Sequence, residues 1–389
     1  MKVKFILGVV LATIILAIPA SATSIQTSNA IDQQILLFNL MSNKVADKVF
    51  KENSSTNQTE MNINLDFYLD INGDGKDDVV STKIKINNSI ESKIKIGNIS
   101  FSYAGIAIAY PIDDINNDGL KDILVNKMFG INEPSEVAIF SKEGFLWNYS
   151  KEQSLLLAVP DGKDILVSQI TMSFMHPSTQ VIKFNGKGNK TMEFEMSGLG
   201  YALPMDDINS DNINDVLVTK IVDNPDGYSI SGIYAIDGKT GEELSKYLEV
   251  SEKDVVTTIA QVINDLDGDG VKDIMIQTIK QNKGKDNSTN LSVLLKVVSS
   301  KKLVKSQKFD DALLWEKEYE NFVTATITND ANGDGLSDIL VLTYKPKYPS
   351  TEIVYPMQIR QQAFDYEFDI LRLRGYDGKP LSHFEFNVK

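Results

Sequence analysis

One repeated nine-residue pattern constrains the fold of this chain more than any other feature. Its fullest copy reads Asp-Leu-Asp-Gly-Asp-Gly-Val-Lys-Asp over residues 265–273. Aspartate or asparagine stands at positions 1, 3, 5 and 9, and glycine or asparagine stands at position 6. Four more segments follow the same register and begin at Asp70, Asp114, Asp207 and Asp330. A pattern that recurs at distances of dozens of residues indicates one structural unit used several times.

The spacing of the copies predicts six such units. Their ninth residues fall at 78, 122, 215, 273 and 338, and Asp164 precedes the same kind of aliphatic run at an intermediate position. The segment before it, residues 159–163, lacks the first two acidic positions, so this unit is a degraded copy. Units of about 40–65 residues are typical of propeller blades with four strands each. The prediction is a six-bladed β-propeller over residues 63–389, with seven blades as the alternative count.

The residues around each copy predict strands rather than helices. Alternating apolar residues precede each copy, and continuous aliphatic residues such as Ile123-Leu124-Val125 follow it. Continuous apolarity over a short strand indicates burial on both faces. Each unit also ends in a hairpin pattern with a polar turn, clearest in residues 137–147, 233–244 and 370–381. We therefore expect an all-β protein from residue 63 onward.

The side chains at these positions predict calcium binding. Ca²⁺ takes six to eight oxygen ligands in a flexible geometry, and a tight turn brings positions 1, 3 and 5 to one point. The side chain at position 9 closes the site, and position 7 contributes its main-chain carbonyl. The expected ligands are Asp70, Asn72, Asp74, Lys76 and Asp78; Asp114, Asn116, Asp118, Leu120 and Asp122; Asp207, Asn209, Asp211, Ile213 and Asp215; Asp265, Asp267, Asp269, Val271 and Asp273; and Asp330, Asn332, Asp334, Leu336 and Asp338.

Simple turns, an EF-hand and a site for another metal each fit the pattern less well. Asp, Asn and Gly favour β-turns without any metal, but five copies in one register exceed what turn preference requires. An EF-hand carries glutamate at position 12 and continues into a helix. Here position 12 is Ser81, Val125, Val218, Ile276 or Val341, and each copy continues into a strand pattern. Transition metals prefer His or Cys, and Mg²⁺ requires a stricter octahedral geometry.

The repeats resemble the FG-GAP/VCBS family, which includes the calcium-binding repeats of integrin α-chain propellers. The resemblance rests on Asp-x-Asn/Asp-x-Asp-Gly-x-x-Asp followed by an aliphatic strand, with Asn212 replacing the glycine once. The family's Phe-Gly and Gly-Ala-Pro signatures are not reproduced. The resemblance implies that each loop joins the first two strands of a blade, away from the usual ligand face. It therefore implies a structural role for about five Ca²⁺ ions and no catalytic residue among their ligands.

The first residues predict export. A short basic start, an apolar run to about Pro19 and the sequence Ala20-Ser21-Ala22 are typical of a signal peptide over residues 1–22. An uncleaved membrane anchor is the alternative. Residues 23–62 show helix-like apolar spacing followed by a polar linker, with a strand over 34–40 as the alternative. The expected location of the mature protein is extracellular or at the cell surface, without insertion into the membrane.

Charge and cysteine content limit the partners. The net charge is −14 and cysteine is absent, so neither nucleic acid binding nor disulfide stabilisation is expected. Sixteen aspartates stand at positions 1, 3, 5 and 9 of the five copies, and five Ca²⁺ ions would return +10. The metal pattern thus accounts for most of the acidity. We expect a monomer whose partner is a protein or a glycan.

The expected function is a non-catalytic binding or adhesion module. His176 and His383 are the only histidines, and neither belongs to a recognisable catalytic motif. A secreted hydrolase or lyase that acts on polysaccharides is the alternative. The insertion at 344–368, rich in aromatic and basic residues, is a candidate contact surface, with a buried hairpin as its alternative. Substitution of Asp267 is expected to remove one metal site, and substitution of Asp161 is expected to be silent.

Overall fold

The computed structural model describes residues 61–86, 89–130, 133–171, 177–223, 228–283, 289–306, 309–320, 322–346 and 366–388. The predicted signal peptide at 1–22, residues 23–60 of the N-terminal extension, His176 and residues 347–365 of the insertion lie outside these ranges.

The described chain is built from strands that follow one another in six antiparallel sheets of four strands each. The strands are β1 (Met61–Leu69), β2 (Asp78–Ile86), β3 (Ile90–Ile96), β4 (Ile99–Tyr103), β5 (Gly105–Ile112), β6 (Asp122–Gly130), β7 (Ser135–Ser141), β8 (Gly144–Lys151), β9 (Ser154–Asp161), β10 (Asp164–Thr171), β11 (Ser178–Phe184), β12 (Lys190–Ser197), β13 (Leu199–Pro204), β14 (Val216–Asp223), β15 (Ser229–Ile236), β16 (Glu243–Ser251), β17 (Val255–Ile263), β18 (Asp273–Lys283), β19 (Thr289–Val298), β20 (Leu313–Tyr319), β21 (Phe322–Thr328), β22 (Asp338–Pro346), β23 (Tyr366–Leu373) and β24 (Pro380–Val388). The predicted all-β class and the count of six four-stranded units are confirmed.

Two short helices correct the expectation that the chain is β throughout. They are α1 (Ser300–Ser306) and α2 (Phe309–Ala312), and they connect β19 to β20. Leu303 and Ala312 are buried and pack into the core of the same unit. Neither helix is long and apolar enough to cross a bilayer, and the described ranges hold no other candidate span.

Each sheet is a simple meander, because consecutive strands pair in chain order. The aliphatic runs after the copies that begin at 114, 207 and 265 are buried as predicted, and Ile123, Leu124 and Val125 have no exposed surface. In the other two runs, Val79 and Leu340 are half-buried. The three predicted hairpins are also confirmed as β7–β8, β15–β16 and β23–β24. In a four-stranded meander, the first and third connections lie at the same end of the sheet. The acidic loops therefore share an end of their sheet with the turn between its third and fourth strands.

The chain divides into two compact units, Met1–Met196 and Ser197–Lys389. In the first unit, the sheets β1–β4 and β5–β8 share an apolar cluster that includes Val80, Ile94 and Ile123. Polar side chains also join these two sheets. Thr82 Oγ1 on β2 accepts a hydrogen bond of 2.9 Å from the main chain of Ala109 on β5.

The second unit repeats this sheet-on-sheet packing. One cluster joins the sheets β13–β16 and β17–β20, and another joins β17–β20 to β21–β24. The hydroxyl of Tyr201 on β13 donates to the carbonyl oxygen of Ala260 on β17 over 2.7 Å. Each sheet in a unit thus covers one face of its successor.

A tryptophan makes the same contact once in each unit. In the first unit, Trp147 on β8 donates through Nε1 to the carbonyl oxygen of Gly186, in the turn after β11. In the second unit, Trp315 on β20 donates to Gly375, in the turn after β23. In both cases the fourth strand of one sheet contacts the last turn of the next. This contact recurs although the two tryptophans lie far apart in sequence.

Candidate metal centres

The five acidic loops occupy the same place in their sheets. Each joins the first strand to the second, between β1 and β2, β5 and β6, β13 and β14, β17 and β18, and β21 and β22. The predicted position of the loops is therefore found in the structure. The degraded copy lies between β9 and β10, which is the equivalent position in its own sheet.

The carboxylate at position 1 organises each loop. In the loop 265–273, Asp265 accepts 2.7 Å and 2.8 Å hydrogen bonds from the main-chain nitrogens of Gly268 and Gly270. The bond to the sixth residue recurs in the other four loops, where the donors are Gly75, Gly119, Asn212 and Gly335. The pKa of Asp70 is lowered, and the largest cause is the hydrogen bond from the main-chain N–H of Gly75. The loop 70–78 thus stabilises the charged form of Asp70.

The side chains at positions 3 and 5 are held by the loop as well. Asp269 Oδ1 accepts a 3.0 Å hydrogen bond from the nitrogen of Val271, two residues later. The same bond is made by Asp74, Asp118, Asp211 and Asp334. The four asparagines at position 3 each accept from the nitrogen of position 5 over 2.9–3.1 Å. Because the bonds repeat in register, the five loops share one conformation.

The sequence indicated one left-handed position in each loop, and the structure contains two. Position 6 has positive φ angles between 69° and 89°. Position 4 has positive φ as well, between 64° and 80°, at Gly73, Asn117, Ser210, Gly268 and Gly333. Glycine and asparagine adopt this region at the lowest cost. The enrichment of Gly and Asn at position 4 was the signal that could have revealed it.

The aspartate at position 9 enters the protein interior. Its Oδ2 accepts from the main-chain nitrogen of position 2 in every loop, as Asp122 does from Ile115 over 2.8 Å. Asp122, Asp215, Asp273 and Asp338 are buried. Burial raises the pKa of Asp122 to about 6 and that of Asp273 to about 7. Burial of an ionised carboxylate costs free energy unless an opposite charge compensates it.

Three buried carboxylate oxygens lack a hydrogen-bond donor among the described residues. They are Oδ1 of Asp122, Oδ1 of Asp338 and Oδ1 of Asp267. In the loop 265–273, three aspartates each place one carboxylate oxygen within 4.8 Å of the other two; they are Asp265, Asp267 and Asp269. Turn formation by Asp and Asn does not explain buried carboxylate oxygens without partners. A cation bound by oxygen ligands would satisfy them.

The donor set fits a hard cation. All predicted side-chain ligands are carboxylate or amide oxygens, and no histidine or cysteine lies in the loops. Ca²⁺ accepts such ligands in variable number and geometry. The side chains at positions 1, 3, 5 and 9 and the carbonyl at position 7 would hold it in each loop, and the ion would supply positive charge to the buried carboxylates.

Lysines from the same end of the sheet approach several loops. Lys142, after β7, donates to the carbonyl oxygen of Asp118 over 2.9 Å, and Lys301 on α1 donates to that of Asp269 over 2.7 Å. Lys302 Nζ lies 2.8 Å from Asp267 Oδ2. The pKa of Lys302 is raised, and the largest cause is its hydrogen bond with Asp267. In the loop 265–273, the carboxylate at position 3 is therefore in contact with the ammonium group of a lysine.

Replacement of Lys302 by Met is expected to strengthen Ca²⁺ binding at this loop by up to about fivefold, since a partly exposed ion pair is worth about 1 kcal/mol or less. The ammonium competes with a metal for Asp267 Oδ2, and its removal frees that oxygen. Calorimetric titration of the two proteins measures the change. Lys246→Met, at an exposed pair with Glu243 on β16, serves as the control. Equal affinities in K302M and wild type would contradict this competition.

In the degraded copy, a lysine side chain supplies positive charge to the buried carboxylates. Lys183 Nζ on β11 lies 2.7 Å from Asp161 Oδ2 at the end of β9, and both side chains are 2% exposed. Asp164, which corresponds to position 9, pairs with Asp161 across the β9–β10 ladder. Burial raises the pKa of Asp164, and Lys183 partly offsets this effect. A change at Asp161 is still expected to leave the number of metal sites unchanged, but it should affect stability, because this carboxylate belongs to a buried ion pair.

Comparison with known proteins adds little. No protein-family model matches the chain, and no curated protein matches it. One similar solved structure is described as "Crystal structure of an ACO/RPE65 chimera". It is 9% identical, with 89% of this chain and 96% of that chain covered, at a TM-score of 0.28. A likeness at this level carries no argument about fold or function.

Proposed function

We propose that the chain is an exported, calcium-stabilised β-propeller of six blades that binds a protein or glycan partner without catalysis. The single observation that carries the calcium assignment is the set of five equivalent loops, three of which hold a buried carboxylate oxygen without a hydrogen-bond donor among the described residues. An active site occurs once in a chain, whereas these loops occur once in each of five sheets. Repetition of this kind suits a structural metal.

Features of the separate units support the propeller arrangement. Each sheet is a four-stranded meander that packs face to face on the next sheet of its unit. In the sheet β5–β8, the first strand is almost entirely buried, whereas the fourth has no buried residue and half of its residues are exposed. Blades that radiate from a central axis have this gradient. The resemblance of the loops to FG-GAP/VCBS repeats points to the same arrangement.

Replacement of Asp267 by Ala is expected to remove one of about five bound Ca²⁺ ions. The substitution deletes the position 3 ligand oxygens, whereas asparagine at this position would only reproduce the other four loops. Calorimetric titration of the calcium-free protein gives the number of sites in each variant. Asp254→Ala, at the other end of the sheet between β16 and β17, is the matched control. An unchanged number of sites in D267A would contradict the assignment of this loop.

The binding role requires a separate test, because calcium can also stabilise an enzyme. The mature protein would be incubated with a panel of polysaccharides in Ca²⁺. Binding of each polysaccharide to the protein and release of new reducing ends would be measured in parallel. A non-catalytic module retains a ligand, or binds none of the panel, and releases no new ends. Release that D267A and Asp254→Ala leave unchanged would establish a hydrolase or lyase on the same scaffold.

A further inference from the structure

A second cluster of metal-ligating side chains lies on the last two strands of the chain. Asp369 is on β23, and His383 and Glu385 are on β24. Asp369 is paired directly with Glu385 in the strand register, and His383 lies two residues before Glu385 on the same strand. Because side chains alternate between the faces of a strand, all three project from one face of the sheet. None of them belongs to an acidic loop.

The distances bring the three side chains to one point. His383 Nε2 lies 3.5 Å from Glu385 Oε1 and 3.8 Å from Asp369 Oδ1. One ligand atom from each residue lies within 4.8 Å of the other two. Bonds of about 2.0–2.2 Å at tetrahedral angles separate two zinc ligands by roughly 3.3–3.5 Å. The cluster therefore has nearly the spacing of a zinc site before any ion is added.

A neighbouring side chain orients one of the carboxylates. Thr343 on β22 is buried, and its hydroxyl lies 3.3 Å from Asp369 Oδ2 as a donor. Thr343 is paired with Asp369 in the ladder, so the contact follows from the strand register. The contact engages Oδ2 and leaves Oδ1 directed toward His383. Metal-binding carboxylates are commonly held by a hydrogen bond of this kind.

We propose that Asp369, His383 and Glu385 form a surface site for a divalent transition-metal ion of the zinc type. One imidazole nitrogen and two carboxylate oxygens suit zinc and related ions, whereas calcium takes oxygen ligands alone. Three protein ligands leave a fourth position open for water or for a group from a partner. The inference does not depend on the proposed function, because the site and the acidic loops share no residue.

The test is a calorimetric titration of the full mature chain, without a histidine tag, with Zn²⁺ as the only transition-metal ion at about pH 8. Excess Ca²⁺ is present so that the acidic loops do not bind the probe. The expected result is one zinc ion per chain. His383→Gln and Asp369→Asn should each bind about tenfold or more weakly, as loss of a ligand interaction in a metal site does.

Two control variants make the outcome specific. His176→Gln changes the only other histidine and should bind zinc as the wild type does. Asp267→Ala should lose a calcium ion and keep the zinc ion, while His383→Gln should lose the zinc ion and keep all the calcium ions. Unchanged zinc affinity in His383→Gln, an equal loss in His176→Gln, or no zinc binding by the wild type would each overturn the proposal. Thermal melts of all variants confirm that they are folded.

Discussion

Removal of Ca²⁺ is expected to lower the melting temperature of the protein by roughly 10 °C. Extracellular calcium modules have dissociation constants of about 10⁻⁴–10⁻³ M. At a tenfold excess over that value, each occupied loop stabilises the fold by about 1.4 kcal/mol. The first unit contains two loops and the second contains three. Without the ion, the buried carboxylates at position 9 lose the charge that compensates them.

The measurement is a calorimetric melt in millimolar Ca²⁺ and again in a chelator. Mg²⁺ at the same concentration is the control ion, and it should restore much less stability because it requires stricter geometry. D267A should lose about one fifth of the calcium-dependent stabilisation, in line with one loop of five. A melt that does not respond to the chelator would contradict calcium binding by the loops.

Replacement of Lys183 by Met is expected to destabilise the first unit by about 3–5 kcal/mol. The substitution leaves Asp161 buried without its cation and removes the charge that offsets the burial of Asp164. The loss should be the same with and without Ca²⁺, because no acidic loop takes part. Chemical denaturation in both conditions measures the change in the free energy of unfolding.

A double variant separates the ion pair from the general effect of a core substitution. Asp161→Leu combined with Lys183→Met removes both charges, and such replacements are often close to neutral. The double variant should therefore be more stable than K183M alone. Lys190→Met, at an exposed ion pair with Glu193 in the same sheet, should change stability by less than about 1 kcal/mol. Additive losses in the double variant would contradict a paired charge at this position.

Local features of the sequence predicted most of the loop structure. The acidic positions, the turn residues and the aliphatic strand after each copy act within about ten residues of one another. Their consequences, such as the bonds from Gly268 and Gly270 to Asp265, form inside the loop itself. The repeat also predicted the six sheets, since each unit carries the same pattern. The helices α1 and α2 were missed because they are short and are stabilised by tertiary packing of Leu303 and Ala312.

The sequence by itself determined that five loops present oxygen ligands in one register and that each opens a four-stranded unit. Only the tertiary structure decided which charges are buried and what they contact. Lys183 is 22 positions from Asp161 along the chain, and the pairing of β9, β10 and β11 brings them to 2.7 Å. His383 likewise meets Asp369 through the register of β23 and β24. Contacts between strands depend on register and burial, which no single segment of the sequence specifies.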